Sequence, residues 1–516
     1  MDTMRRLPVL LLCSLLFLAG CSEPAHENGA IRIGLSQLPM SLDSRYATDA
    51  ASHRIQEFLH RGLIRLDESF QPKPDLAESW QHPDPLTWKF RLRAGVLFHD
   101  GSPVRAVDAA ATLSAVLDSS KASPLRAGLA AIELIEAVSE RELVLRLNKP
   151  DASLLTRLKI GVLPERLAKQ GHSPRETIGC GPYRLANWAE NRLDIESVDG
   201  ELVDGNLVDG NLVDGKRGAN RIRFVGVKDP VTRSLKLVRG ELDFTQGDLP
   251  PHLLPYLKKQ QGVEIQYHPS TTFSYIGMNL QDDHLKDIRV RKALALGLDR
   301  KRLKQALFDD APELAESVLT SSHWAAIKLA ETPFDPAEAG RLLDEAGFPR
   351  GADGLRFSIN YRTSTNPTRL RLVTAIADGW KRLGVDISIE SLEWGGFYAR
   401  IKRGDFQLFS LDWVGITDPD IYRWILHSEM WPPAGSNRGR YSSRLMDGWL
   451  DAAAVSENQN ERASLYAKVQ KKMQADQVYI PLWYRPVIAV SGPRIRGFKP
   501  SPDGSLLSLR NVTVSD

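Results

Sequence analysis

A guanidinium, two indoles and two carboxylates crowd one stretch in the second half of the chain: Arg362, Trp394, Asp412, Trp413 and Asp418. Asn437 and Arg438 follow in a Gly/Ser loop. The planar fork of an arginine holds a carboxylate through paired hydrogen bonds, which lysine does less well. An indole can stack on or wall a ligand, and an aspartate can anchor an amine or a sugar hydroxyl. Asn437 and Arg438 would then close over the ligand. Each residue also has a plainer role open to it. The tryptophans could be core, Arg362 a solvated strand end, and the two aspartates a structural pair or the cap of a turn before Pro419.

Catalytic patterns are missing by contrast. The chain contains no HExxH, no GxSxG and no local Cys/His pair. Cys180, in the run GCGPY, suits turn packing better than nucleophilic attack, although catalysis by residues scattered in sequence stays open. The 11 histidines form no close ligand cluster. Neither a metal site nor a cofactor is expected, and any metal would have to arrive as a chelate.

Regular elements are needed to bring the candidate residues together. Leu355, Phe357, Ile359 and Tyr361 alternate with polar residues, which predicts a strand ending near Arg362. A helix comes next, with Leu372, Val373, Ile376, Trp380 and Leu383 on one face and Gly384 as its stop. Val385, Ile387 and Ile389 predict a second strand ending near Trp394. A short helix then runs to Gly404, and residues 405–412 form a third strand ending at Trp413. Two successive crossovers imply parallel strands, and ligands of open α/β sheets bind outside the strands' carboxyl ends. Upstream, Asp335-Pro336 with Glu338 starts another helix, which Gly347 ends.

The run ELVDGNLVDGNLVDGKRG, Glu201 to Gly218, repeats five residues. Its last copy approaches a phosphate loop, but Arg217 stands where Ser or Thr must reach the magnesium. The segment from Asn220 onward reads as a strand, where a phosphate loop needs a helix. Asp204, Asp209 and Asp214 supply one carboxylate per copy, too few for a calcium loop. A surface loop lengthened by repeat slippage is expected.

With 516 residues, 25% charged and 42% hydrophobic, the chain is of ordinary globular composition and too long for one core. Its net charge of +3 gives nucleic acid no electrostatic footprint. At the N-terminus, Arg5 and Arg6 precede the apolar run Leu7 to Leu18, and Leu18-Ala19-Gly20-Cys21 closes it. That is an export signal rather than a spanning helix, and LAGC resembles the bacterial lipobox, whose cysteine is lipidated. The sequence thus predicts a signal peptide over 1–20, a tether over 21–30 and an extracytoplasmic body held to the membrane through Cys21. Which membrane holds the anchor stays open.

The segment LAESWQHPDPLTWKFRLRAGVLFHDGSPVRAVDAAATL carries a specific resemblance. It is similar to the signature of the large extracytoplasmic solute-binding proteins of the dipeptide/oligopeptide/nickel transporter family. GCGPYRL, YIGMN, DIRVRKALALGLDR, DPAEAGRLLDEAGF and GSNRGRYSS continue that family's motifs in order over nearly all of the chain. The resemblance implies an α/β fold of two lobes, periplasmic-binding-protein-like and of the large type with an extra subdomain in lobe one. Lobe one would comprise 31–268 with a C-terminal return over 485–516, and lobe two 269–484. It adds Tyr275 and Asn279 of YIGMN to the ligand site. It also implies a monomer that is not an enzyme and that hands a small peptide or peptide-like solute to an ABC permease.

One departure stands out. Peptide binders of this family carry an acidic residue three positions after the tryptophan of the third strand, where it pairs with the peptide's α-amine. Ile416 occupies that place here, and Asp418 could substitute by a register shift. A buried ammonium without a carboxylate is costly, so an oligosaccharide or metal chelate stays open as the ligand. An envelope enzyme or chaperone using the same cleft is the alternative from another class.

Overall fold

The computed structural model describes residues 30–515 except 199–200, 204–205, 209–211, 214–215, 218, 248 and 309–310. The export signal, Cys21, the tether up to residue 29, and Asp204, Asp209 and Asp214 lie outside the described residues. Among the described residues no helix is long and apolar enough to cross a membrane.

Two long strands organise the molecule, Glu264–Met278 and Tyr479–Ser491. They pair antiparallel at the middle of an eleven-stranded sheet, and a register shift breaks the pairing between Pro269 and Phe273. On one side of the shift, Phe244–Gln246, Ala30–Leu35, Arg221–Gly226, Arg192–Ser197 and Tyr183–Trp188 continue the sheet. On the other side stand Leu408–Trp413, Phe357–Ser364 and Val385–Leu392. Each long strand thus serves both halves.

The second half obeys the periodicity of its sequence. Phe357–Ser364 pairs parallel with both Val385–Leu392 and Leu408–Trp413, as the two crossovers require. The connecting helix Pro367–Lys381 starts where the Asn366 side chain accepts from the amides of Thr368 and Arg369. It buries Leu372, Val373, Ile376 and Trp380 against the sheet, and Gly384 stops it at φ +86°. Likewise Trp394–Arg403 ends at Gly404, and Asp335 caps Pro336–Glu345 by accepting from the Glu338 amide.

A separate four-stranded antiparallel sheet is built from Ala77–Asp84, Thr87–Leu92, Glu142–Leu147 and Ile132–Ala137. Trp88, Phe90 and Leu92 face inward from it, and helix Ala106–Leu117 packs on the same core. This is mixed α/β architecture throughout.

The pentapeptide repeat differs from the expected plain loop. Glu201–Val203 pairs antiparallel with Asn206–Val208, and Leu212–Val213 with Lys216–Arg217. Asp-Gly stands between the partners in each case, the strongest short hairpin signal a sequence carries. The five-residue period suits no single element, yet it suits a series of minimal hairpins.

GCGPY explains itself through close backbone approach. A Cβ on Gly179 would lie 1.8 Å from the Leu59 carbonyl oxygen, and one on Gly181 would lie 2.4 Å from that of Phe58. The motif is therefore seated directly on the C-terminal end of helix Ala50–Leu59. Cys180 is buried between the two glycines, and burial pushes its thiol up to about 12, far from a nucleophile's range. Gly179→Ala should cost about 1–3 kcal/mol by overpacking, read as a lower urea midpoint at unchanged slope.

Candidate functional site

Beyond Trp413, the chain leaves the sheet and runs along a cavity of about 820 Å³. Gly415 to Asp418, Asp420, Ile421 and Trp424 form one wall. Asp418-Pro419-Asp420 makes a tight helix start there, in which Asp418 Oδ1 accepts from the Asp420 amide at 2.8 Å before helix Ile421–Leu426 begins. The opposite wall comes from the other half of the molecule. Helix Ala50–Leu59 supplies His53, Gln56 and Glu57, the turn after Leu154–Arg157 supplies Lys159, and the C-terminal segment supplies Asp503 and Ser505.

The two walls are bridged. Asp418 Oδ1 accepts from Ser153 Oγ at 2.9 Å and its Oδ2 from Thr156 Oγ1 at 2.8 Å. Arg462 joins by donating to Ser153 Oγ at 3.1 Å, while the Ala152 amide donates to the Ala454 carbonyl. Trp324 donates its amide to the Ser69 carbonyl, beside a stacked Phe70–His323 pair. Both oxygens of Asp418 are therefore engaged in holding the walls together.

Two carboxyls on this cavity behave differently. Glu57 accepts from Ser505 Oγ at 2.5 Å. Burial, and then the charge of Asp503, raise it to about 7. Asp420 is likewise raised to about 7, first by burial and then by Asp418. Its Oδ1 is buried and has no hydrogen-bond partner among the described residues, and its Oδ2 is 3.9 Å from Arg157 Nη2. Ile416 is 6% exposed and contributes apolar wall.

Of the nine residues expected at a ligand site, all of them described, Asp418 alone lines this cavity. Four others form one connected stack. Tyr275 lies parallel to Trp413 with ring centres 6.0 Å apart, and the Arg438 guanidinium sits 4.3 Å over Trp413. Arg438 donates to the Tyr275 hydroxyl at 3.0 Å and to that of Tyr398 at 3.2 Å, and Tyr398 stacks on the exposed Trp394. Burial pushes the Tyr275 phenol up to about 12, so it stays neutral beneath the arginine.

The remaining four make local bonds elsewhere. Asp412 accepts from Ser274 Oγ and pairs with Arg369 at 2.7 Å and Arg485 at 3.2 Å. Arg362 pairs with Glu390 at 2.7 Å and Asp405 at 2.6 Å. Asn437 is buried, with its Nδ2 donating to the carbonyls of Leu426, His427 and Tyr441. Asn279 donates to the Phe406 carbonyl at 3.1 Å.

Sequence reasoning did not single out Glu57, Lys159, Asp420 or Asp503. Their segments are remote from one another in the chain, and none carries a local motif beyond the Asp-Pro-Asp turn. Among the described residues no three His, Cys, Asp or Glu converge closely enough to hold a metal ion.

Comparison with known proteins places this architecture. The periplasmic oligopeptide-binding protein OppA of Salmonella typhimurium is 25% identical over 492 residues, covering 89% of this chain and 87% of that one. The glutathione-binding protein GsiB of Pectobacterium atrosepticum is 26% identical over 493 residues, covering 92% of each. The structure of HbpA2 from Haemophilus parasuis superposes with a TM-score of 0.81 at 22% identity, covering 94% of this chain and all of that one. The family described as bacterial extracellular solute-binding proteins, family 5 Middle, matches residues 71–430. That match spans most of the chain, the two relatives cover 89% and 92% of it, and the solved fold agrees over 94% of it: the chain belongs to the bacterial extracellular solute-binding proteins of family 5, a family of binders and not of enzymes.

Proposed function

We propose that this protein is the capture component of an ABC importer, taking a small peptide or peptide-like solute into its interlobe cleft and delivering it to a membrane permease. One observation carries the reading: a cavity of about 820 Å³ is walled by both halves of the chain, and those walls are bridged through Asp418. Its size falls within the roughly 300–1,000 Å³ of small-molecule sites. The oligopeptide- and glutathione-binding relatives support the solute class. In this reading lobe one is 31–268 with 485–516, lobe two is 269–484, and the two long strands are the hinge. Contacts from both lobes to one solute favour the closed form, which the permease recognises.

Thermal unfolding against pools of short peptides, sugars and metal chelates tests the reading. A ligand at 100 times its dissociation constant stabilises the native state by about 2.7 kcal/mol. A shift with peptides or N-blocked peptides is expected, and a shift confined to sugars or chelates would sink the peptide assignment.

The same proposal places the body outside the cytoplasm, anchored through lipidated Cys21 as a monomer. Cys21→Ser should move the protein from the membrane pellet to the soluble fraction of a gently lysed cell. Unchanged pelleting would remove the lipid anchor from the account.

A further inference from the structure

Resting on that reading of the cleft, we infer that the solute carries a positively charged group, which is held between Asp420 on one wall and Glu57 on the other.

Charge balance is the first support. Among the described residues lining the cavity, seven are carboxylates and three are permanent cations, Arg65, Arg157 and Lys159. Most of the carboxylates have structural tasks. Asp67 accepts from the Ser69 and Gln71 amides, Asp75 pairs with Arg61, Asp418 bridges the walls, and Asp503 accepts from Ser501 Oγ and the Ser505 amide. Glu68 is exposed, which leaves Asp420, and Glu57 with a single hydrogen bond from Ser505 Oγ. A buried carboxyl oxygen without a donor is costly, and the Oδ1 of Asp420 is such an atom. A ligand ammonium or guanidinium supplies the missing donors.

The surroundings of the two carboxyls explain why no protein cation already does so. Asp418 and Asp151 crowd Asp420 with like charge, while Arg157 and Arg462 oppose them and Tyr466 lies alongside. Arg157 is turned toward Asp151, at 2.6 Å, rather than toward Asp420. Glu57 faces Asp503 on the C-terminal segment, with Lys159 and Arg54 opposing, and His53 sits one turn earlier on the same helix. Both carboxyls titrate near neutrality, which is common at binding sites. A bound cation favours their ionised forms, so binding releases protons near neutral pH and weakens in acid. His53 gains charge in acid and acts in the same direction.

Four probes test this on the purified protein by calorimetry: Ala-Lys-Ala, N-acetyl-Ala-Ala-Ala, agmatine and spermidine. At pH 8 the best basic probe should bind at least tenfold tighter than N-acetyl-Ala-Ala-Ala, and at pH 5.5 that preference should vanish. Asp420→Asn should weaken the basic probe at least tenfold while the neutral peptide changes less than twofold. Glu57→Gln gives an independent variant, and near pH 7 two buffers of different ionisation heat should reveal proton release. Binding of agmatine or spermidine without any peptide supports the cation site and overturns the peptide reading. Peptides binding with no charge or pH preference overturn the cation site and leave the peptide reading standing. Failure of every basic probe overturns the cation site as well.

Discussion

Replacing Asp418 with alanine is expected to lower the closed fraction of the protein by about one to two orders of magnitude. Its carboxylate accepts from Ser153 Oγ and Thr156 Oγ1 across the cleft, with Arg462 3.9 Å away. Hydrogen bonds to a charged group contribute roughly 1.5–3 kcal/mol each, and partial exposure brings the pair toward the low end. The variant also strips the Asp420 amide of its acceptor, loosening the start of helix Ile421–Leu426. Asp418→Asn keeps one acceptor oxygen and should fall between the two. Small-angle scattering reads the outcome as a larger radius of gyration for the alanine variant at unchanged secondary structure. Equal radii for the two proteins would show that Asp418 is no latch. Charge alone brings a second consequence: without its neighbour, Asp420 should titrate lower than about 7, and the pH dependence of binding should move toward acid.

Trp380→Ala should be the most destabilising single truncation in the second half, at about 3–5 kcal/mol. Trp380 is fully buried beside Tyr361, Val373 and Ile376, and its indole Nε1 donates to the Leu294 carbonyl at 2.8 Å. Truncation therefore opens a large cavity and leaves a buried carbonyl without its donor. Trp380→Phe keeps most of the volume and loses the hydrogen bond, so its cost should be well under half as large. Urea denaturation monitored by circular dichroism measures both. A cost below about 1 kcal/mol for the alanine variant would contradict the packing described for helix Pro367–Lys381.

The order of strands and helices in the second half was legible because its apolar spacing repeats cleanly. Tyr361, Ile376 and Val385 face one core, and glycines 384 and 404 end the helices that the pattern predicts. The hairpins of the repeat were hidden although their Asp-Gly signal was present, since a five-residue period matches no single element. The walls of the cleft were hidden for another reason. Glu57 shares a helix face with His53 that reads as an ordinary solvated surface, and only the long-range fold brings it to the same cavity as Asp420. On sequence Asp418 is open to a ligand or to a turn cap, and its oxygens accept from the Asp420 amide and from Ser153 and Thr156. No local feature announces the last two, which lie more than 260 positions away in the chain. Arg438 illustrates the same limit. Nothing near it in sequence shows that it lies over Trp413 and bonds Tyr275.

Native mass spectrometry of the protein after incubation with a mixed tripeptide library tests the central claim most directly. The account predicts one intact tripeptide retained per chain, enriched in basic residues, and released unchanged on denaturation. Retention of no peptide, or recovery of hydrolysed fragments, would contradict it.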